Sequence, residues 1–203
     1  MLLSWSLLAQ ADNLLVLGDS ISAGYGLDKP EQGWVALLKE RLRPRGLEVV
    51  NASISGDTTA GGLQRLDALL EREKPAWVLV ELGGNDGLRG LTPAQMETNL
   101  TLIIDKSRAA GARVLLLGMR IPPNYGKRYA EMFQQVYGKV AEARQVALVP
   151  FLLDGVGGQD ELMQQDGIHP NAGAQPLMLE QVWKTLEPLL AGDGKPAGSP
   201  KKS

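Results

Sequence analysis

Leu14-Leu15-Val16-Leu17-Gly18-Asp19-Ser20 decides the fold. Four apolar residues in unbroken succession, stopped by Gly-Asp, have no polar face to turn toward water. That is the pattern of a strand covered on both faces, as in a parallel sheet packed between helices. Four further segments read the same way: Leu47–Asn51, Trp77–Leu82, Arg113–Gly118 and Val146–Phe151. Between them run segments of helical period at Trp34–Arg43, Thr59–Arg72, Thr92–Ala110 and Arg128–Ala143. A last helix is expected over Ala172–Leu190, with Pro176 near its first turn and Pro188 near its end. Short strands alternating with helices make repeated βαβ units. The expectation is an α/β fold, a doubly wound sheet of five parallel strands, in one domain over residues 12–190.

The ends of the chain read differently. Leu2–Leu8 is a short apolar run followed by Ala9-Gln10-Ala11, a small-x-small cleavage pattern, so residues 1–11 resemble the back half of a secretory signal. The run is too short to span a bilayer, which takes about 20 residues. Residues 191–203, AGDGKPAGSPKKS, lack apolar periodicity and are expected to form a disordered tail.

Composition narrows the chemistry. The 203 residues carry 21 basic and 23 acidic side chains, a formal net charge of -2, with 44% hydrophobic and 22% charged residues. That balance argues against a polyanion-binding surface, so no nucleic-acid partner is expected. There is no Cys, which excludes disulfides, thiol nucleophiles and thiolate metal sites, and there is one His. If imidazole does chemistry here, it is His169.

In a doubly wound sheet the ligand site lies beyond the carboxyl ends of the strands. The polar clusters of this sequence fall there. The first strand exits into Gly18-Asp19-Ser20-Ile21-Ser22-Ala23-Gly24, the second into Asn51–Asp57, the third into Gly83-Gly84-Asn85-Asp86; the fifth is followed, after a connection, by Asp166-Gly167-Ile168-His169-Pro170. Ser20 stands where a strand-to-helix turn exposes a hydroxyl, although a helix N-cap would explain it too. Asp166 and His169, three positions apart in a Gly/Pro-bounded turn, can form a carboxylate–imidazole pair facing Ser20, which completes a Ser-His-Asp relay. The backbone N–H groups of Ser20 and Gly56 and the Asn85 amide are candidate donors to a developing oxyanion. G-x-S-x-G, G-x-x-x-x-G-K-[ST] and a well-formed G-x-G-x-x-G after the first strand are absent. Asp19 and Asp86 have no oxygen-ligand spacing that supports a metal, so none is expected.

These blocks together resemble the SGNH (GDSL-type) hydrolases, and within them the bacterial branch of multifunctional arylesterases, acyl-CoA thioesterases and lysophospholipases. Gly18-Asp19-Ser20-Ile21-Ser22-Ala23-Gly24-Tyr25 matches the first block, Gly56 the glycine block, Gly84-Asn85-Asp86 the asparagine block and Asp166–Pro170 the last, all in order, with similarity from about Asn13 to Leu190. The resemblance implies a three-layer α/β/α sandwich of flavodoxin-like type, Ser20 as nucleophile, Asp166 as acid and His169 as base. It also implies a periplasmic location and no cofactor. In this branch the loop Ile121-Pro122-Pro123-Asn124-Tyr125-Gly126 borders the acyl pocket, so Leu88, Met119, Ile121, Pro122 and Tyr125 are candidate acyl contacts. Expected partners are small-molecule and lipid esters and thioesters, met by a monomer without stable membrane insertion. Two other readings remain: carbohydrate O-deacetylation on the same scaffold, and a non-catalytic flavodoxin-like binding protein.

Overall fold

The computed structural model describes residues 13–192; the expected leader and most of the expected tail lie outside the described residues, but Ala191 and Gly192, expected in the tail, are the last residues of the final helix. Five strands form one parallel sheet: β1 (Asn13–Gly18), β2 (Glu48–Asn51), β3 (Trp77–Glu81), β4 (Arg113–Leu117) and β5 (Ala147–Val149). Their order is β2-β1-β3-β4-β5, with Val16 in register with Asn51 on one side and Leu79 on the other. β1 and β3 are central, and all of Leu14–Leu17 and Val78–Val80 are fully buried, as unbroken apolar runs require.

The long helices are α2 (Trp34–Leu42), α3 (Thr59–Glu73), α5 (Pro93–Ala109), α6 (Lys127–Arg144) and α7 (Gln175–Gly192). α2 packs with α7, and α5 packs between α3 and α6, which gives the three-layer α/β/α sandwich of flavodoxin-like type. The helices start where capping chemistry allows. Thr58 accepts from Gly61 N at the head of α3, and Thr92, Pro93 and Gln95 build a capping box for α5. The last helix begins at Gln175, later than its periodicity suggests, because the Asn171 side chain caps a separate 3-10 turn at Ala172–Ala174. The fifth strand is short for a similar local reason: Pro150 has no N–H to continue the ladder.

Two helical turns are too short to show as periodicity, α1 (Ser20–Ala23) and α4 (Gly84–Leu88). Each follows directly on a central strand at its carboxyl end. Between β1 and β3 the chain reverses its order of addition to the sheet, so both turns open on the switch point where α/β ligands bind.

Candidate active site

Gly18 ends β1 in a crowded place: a Cβ there would lie 2.7–2.8 Å from the Ser22 and Ser53 side chains. Asp19 then caps α1, its Oδ1 accepting from Ile21 N at 3.0 Å, and Ser20 follows as the first helical residue. The cap is buttressed from β3. The carboxyl of Glu81 is fully buried; its Oε2 accepts from Ser22 Oγ at 2.7 Å and from Asp19 N at 3.2 Å. Burial, and then the neighbouring Asp19 carboxylate, push the Glu81 pKa well above the ordinary glutamate range. Burial also lifts Asp19 to about 6, against the opposing hydrogen bonds from Ile21 N and the Asn85 amide.

Asn85 Nδ2 donates to Asp19 Oδ2 at 3.0 Å, which fixes the amide plane and leaves its second hydrogen for the cavity that Asn85 lines. Gly56 lies in the turn between β2 and α3, on a backbone of φ +79°, which glycine adopts without a Cβ penalty. That turn is hung on β1 through Ile54 N to Gly18 O at 3.0 Å and closed by Asp57 N to Ile54 O at 3.0 Å. Gly56 itself is not part of the cavity wall.

On the far side, Asp166 Oδ1 accepts from Ile168 N at 2.9 Å and His169 N at 3.0 Å, while Oδ2 meets His169 Nδ1 at 2.7 Å. Chiefly through the His169 backbone N–H, these bonds hold the Asp166 carboxyl down at about 2. An ionised carboxylate only accepts, so Nδ1 carries the ring proton. The lone pair of Nε2 is then directed at Ser20 Oγ, 2.9 Å away. Hydroxyl, imidazole and carboxylate thus stand in hydrogen-bonded series, the arrangement that activates a hydroxyl as a nucleophile.

Beside Ser20 and His169 opens a cavity of about 450 Å³. Leu88, Met119, Ile121 and Pro122 stand in its wall; Tyr125 does not, because Pro123–Tyr125 coil into a 3-10 turn that leaves its side chain 41% exposed. Phe151, Leu153, Gly157, Met163 and Ile168 also line it, together with the charged Arg120, whose guanidinium lies over the Phe151 ring; none of these is a candidate contact in the sequence reading. Phe151 and Leu153 follow β5, so the rule that pointed to the other loops applied to this one as well. Tyr25 was also missed as a contact: its ring centroid lies 4.6 Å from that of His169.

A family model described as GDSL-like Lipase/Acylhydrolase matches residues 16–175. The chain belongs to the GDSL-like lipase/acylhydrolase family. The match includes Ser20, Gly56, Asn85, Asp166 and His169. Among other similar proteins, Esterase TesA of Pseudomonas aeruginosa is 63% identical over 184 residues, 90% of this chain and 91% of that protein. Thioesterase 1/protease 1/lysophospholipase L1 of Escherichia coli is 50% identical over 185 residues, 91% and 88% of the two chains. A crystal structure of TesA superposes with a TM-score of 0.85 at 63% identity, covering 88% of this chain and 99% of the other. A hydrogen-bonded hydroxyl, imidazole and carboxylate beside a mainly apolar cavity is therefore found here on a GDSL-like hydrolase scaffold.

Proposed function

We propose that this protein is a serine hydrolase that cleaves carboxylic esters and acyl thioesters through an acyl-enzyme on Ser20. The observation that carries the reading is the 2.9 Å contact of Ser20 Oγ with His169 Nε2, beside a cavity walled largely by apolar side chains. His169 takes the Ser20 proton as Oγ attacks the acyl carbon, and Asp166 stabilises the imidazolium that forms. The carbonyl oxygen gains charge and receives N–H donors from Ser20, Gly56 and Asn85. Collapse of the tetrahedral adduct expels alcohol or thiol, protonated by His169. Water, deprotonated by the same ring, then releases the acid and restores Ser20.

The wall chemistry supports an acyl chain over an acetylated sugar. Leu88, Met119, Ile121, Phe151 and Leu153 offer an acyl chain apolar contact, whereas a sugar hydroxyl among them would lose hydrogen bonds to water. Aryl and alkyl esters, acyl-CoA and lysophospholipids are the substrates proposed. This reading agrees with the names of the Pseudomonas and Escherichia relatives. Among the described residues no helix is long and apolar enough to cross a membrane. The leader-like segment ending in Ala9-Gln10-Ala11 supports work in the periplasm, which osmotic-shock fractionation of the native host checks.

The test is hydrolysis of p-nitrophenyl esters of increasing acyl length, palmitoyl-CoA and lysophosphatidylcholine by wild type and Ser20→Ala. Turnover by wild type and its loss in S20A are expected. His169→Ala lowers kcat by roughly 10⁴- to 10⁶-fold with the fold retained, and Asp166→Ala by less. Full activity in S20A overturns the mechanism.

A further inference from the structure

Arg65 projects from the second turn of α3 and donates from each of its three guanidinium nitrogens to the segments around the site. Nε donates to Asp57 Oδ2 at 2.8 Å, Nη1 to Ala52 O, and Nη2 to Gly18 O at 3.4 Å. These three acceptors have distinct roles. Gly18 O is the last carbonyl of β1, two residues before Ser20; Ala52 O opens the β2–α3 loop; Asp57 directly follows Gly56. One planar group therefore ties the end of β1, which leads into Ser20, to both ends of the segment carrying Gly56.

The surroundings are shaped for this contact. The Asp57 side chain is 11% exposed and that of Arg65 21%, whereas each of the other Arg and Lys ion pairs among the described residues has at least one partner more than a third exposed. Asp57 Oδ1 also accepts from Thr58 N at 3.1 Å, and its carboxylate lies over Gly61, where an added Cβ would overlap it. Small residues at Gly61 and at Gly56 thus leave room for an ion pair and a left-handed turn. Arg89, from the other side, donates through Nη2 to Gly56 O at 2.7 Å.

We propose that Arg65, with Asp57, is a positioning residue for the oxyanion site: it sets the distance between the Ser20 and Gly56 backbone N–H groups without touching substrate. The inference rests on the serine hydrolase reading above. Its physical basis is that two donors on separate loops stabilise an oxyanion only if both are aimed before charge develops. A displacement of about 1 Å at such a site costs about 100-fold in rate. A lysine cannot replace the group, because a single ammonium does not reproduce the planar fork that spans three separated acceptors.

The experiment compares wild type, Arg65→Met, Arg65→Lys and Asp57→Asn on p-nitrophenyl butyrate, with an alkyl boronic acid as a reversible tetrahedral adduct of the serine. Arg65→Met is expected to lower kcat by about 100-fold with KM changed by less than about 3-fold, and to raise the boronate Ki in parallel with the loss in kcat/KM. Arg65→Lys and Asp57→Asn are expected to retain about a tenth of wild-type kcat at unchanged KM. A residue that only held the fold together would lower the melting temperature and the amount of active enzyme, titrated with a fluorophosphonate, and leave kcat per titrated site unchanged. That result overturns the proposal, as does a boronate Ki that stays at the wild-type value. If Arg65→Met does not fold, Arg65→Lys decides by the same two readouts. Ser20→Ala, assayed alongside, reports on the underlying reading separately: activity retained there defeats the mechanism whatever the arginine variants do.

Discussion

Glu81 occupies the last position of β3 with a fully buried carboxyl, and among the described residues its Oε1 meets no hydrogen-bond partner. Its raised pKa has a stability consequence of definite sign. The folded chain keeps a proton that the unfolded chain releases above about 4.5, so stability falls as pH rises from there through the folded-state value. Asp19 acts in the same direction between 3.8 and about 6. Glu81→Gln, which keeps an oxygen for Ser22 and Asp19, is expected to flatten the melting temperature between pH 5 and 9 and to melt above wild type at pH 9. Parallel melting curves for the two proteins would refute this, and differential scanning fluorimetry reads it directly. Asp166 has the opposite sign: its carboxyl is lowered to about 2, and the stability it adds is present above 3.8 and lost as pH falls toward 2. Its side chain is 39% exposed, so solvent screening keeps that contribution small. For catalysis the consequence is larger. Asp166 stays ionised at every pH above about 4, so any acid limb of kcat/KM in that range arises from other groups.

At the scale of elements, the loop bearing Asp166 and His169 is closed by backbone bonds and tied to the Ser20 side by the side chain of Gln164. Gln164 N donates to His169 O at 2.7 Å, its Nε2 donates to Pro170 O at 3.0 Å and to Tyr25 O at 2.7 Å, and Met163 bridges Pro170 in antiparallel sense. Gly26 is bare beneath it, since a Cβ there would overlap Gln164 Oε1. Gln164→Ala frees the His169 loop from the Ser20 side and is expected to lower kcat by about 10-fold, with KM nearly constant; steady-state kinetics on p-nitrophenyl butyrate checks it. The other end of the same region is secured by Trp34, which is fully buried and donates its backbone N–H to the buried Gln175 Oε1 at 3.0 Å, tying α2 to α7. Trp34→Ala costs about 3–5 kcal/mol of stability, measurable by urea unfolding. The long elements were legible because apolar runs and helical periods extend over enough residues to be distinctive. α1 and α4 were not, because four- and five-residue helical turns leave no period to read. Ser20, Asp166 and His169 stood out as a group because the doubly wound topology sends their loops to one edge. Arg65 did not, because an arginine on an amphipathic helix has the pattern of a solvated charge until its acceptors are known.

For the whole molecule, five parallel strands in the order β2-β1-β3-β4-β5 bring four separated loops onto one edge, and the cavity extends from Ser20 toward the loop after β5. On the proposed reading, acyl length is read mainly by residues far from the nucleophile in sequence. Gly157 stands in that wall, and a Cβ there would meet Phe151 at 3.4 Å and Leu153 at 3.5 Å, contacts that need only slight adjustment. Gly157→Val narrows the cavity and is expected to shift the p-nitrophenyl ester optimum to shorter chains, with loss of about 4-fold in kcat/KM per methylene no longer buried; an unchanged length profile would place the acyl chain elsewhere. The apolar lining after β5 was hidden in the sequence because Phe151 and Leu153 read equally well as core. The exposed stretch 157–160 has one more implication. It divides the chain so that the hydroxyl, Gly56 and Asn85 fall entirely on one side, and the imidazole and its carboxylate entirely on the other. Two fragments divided there and kept apart, one with the whole sheet and the other with α7, each lack part of the relay. Colour released from an ester would then report their reunion, so the enzyme is a natural template for a two-part sensor of proximity between fused proteins.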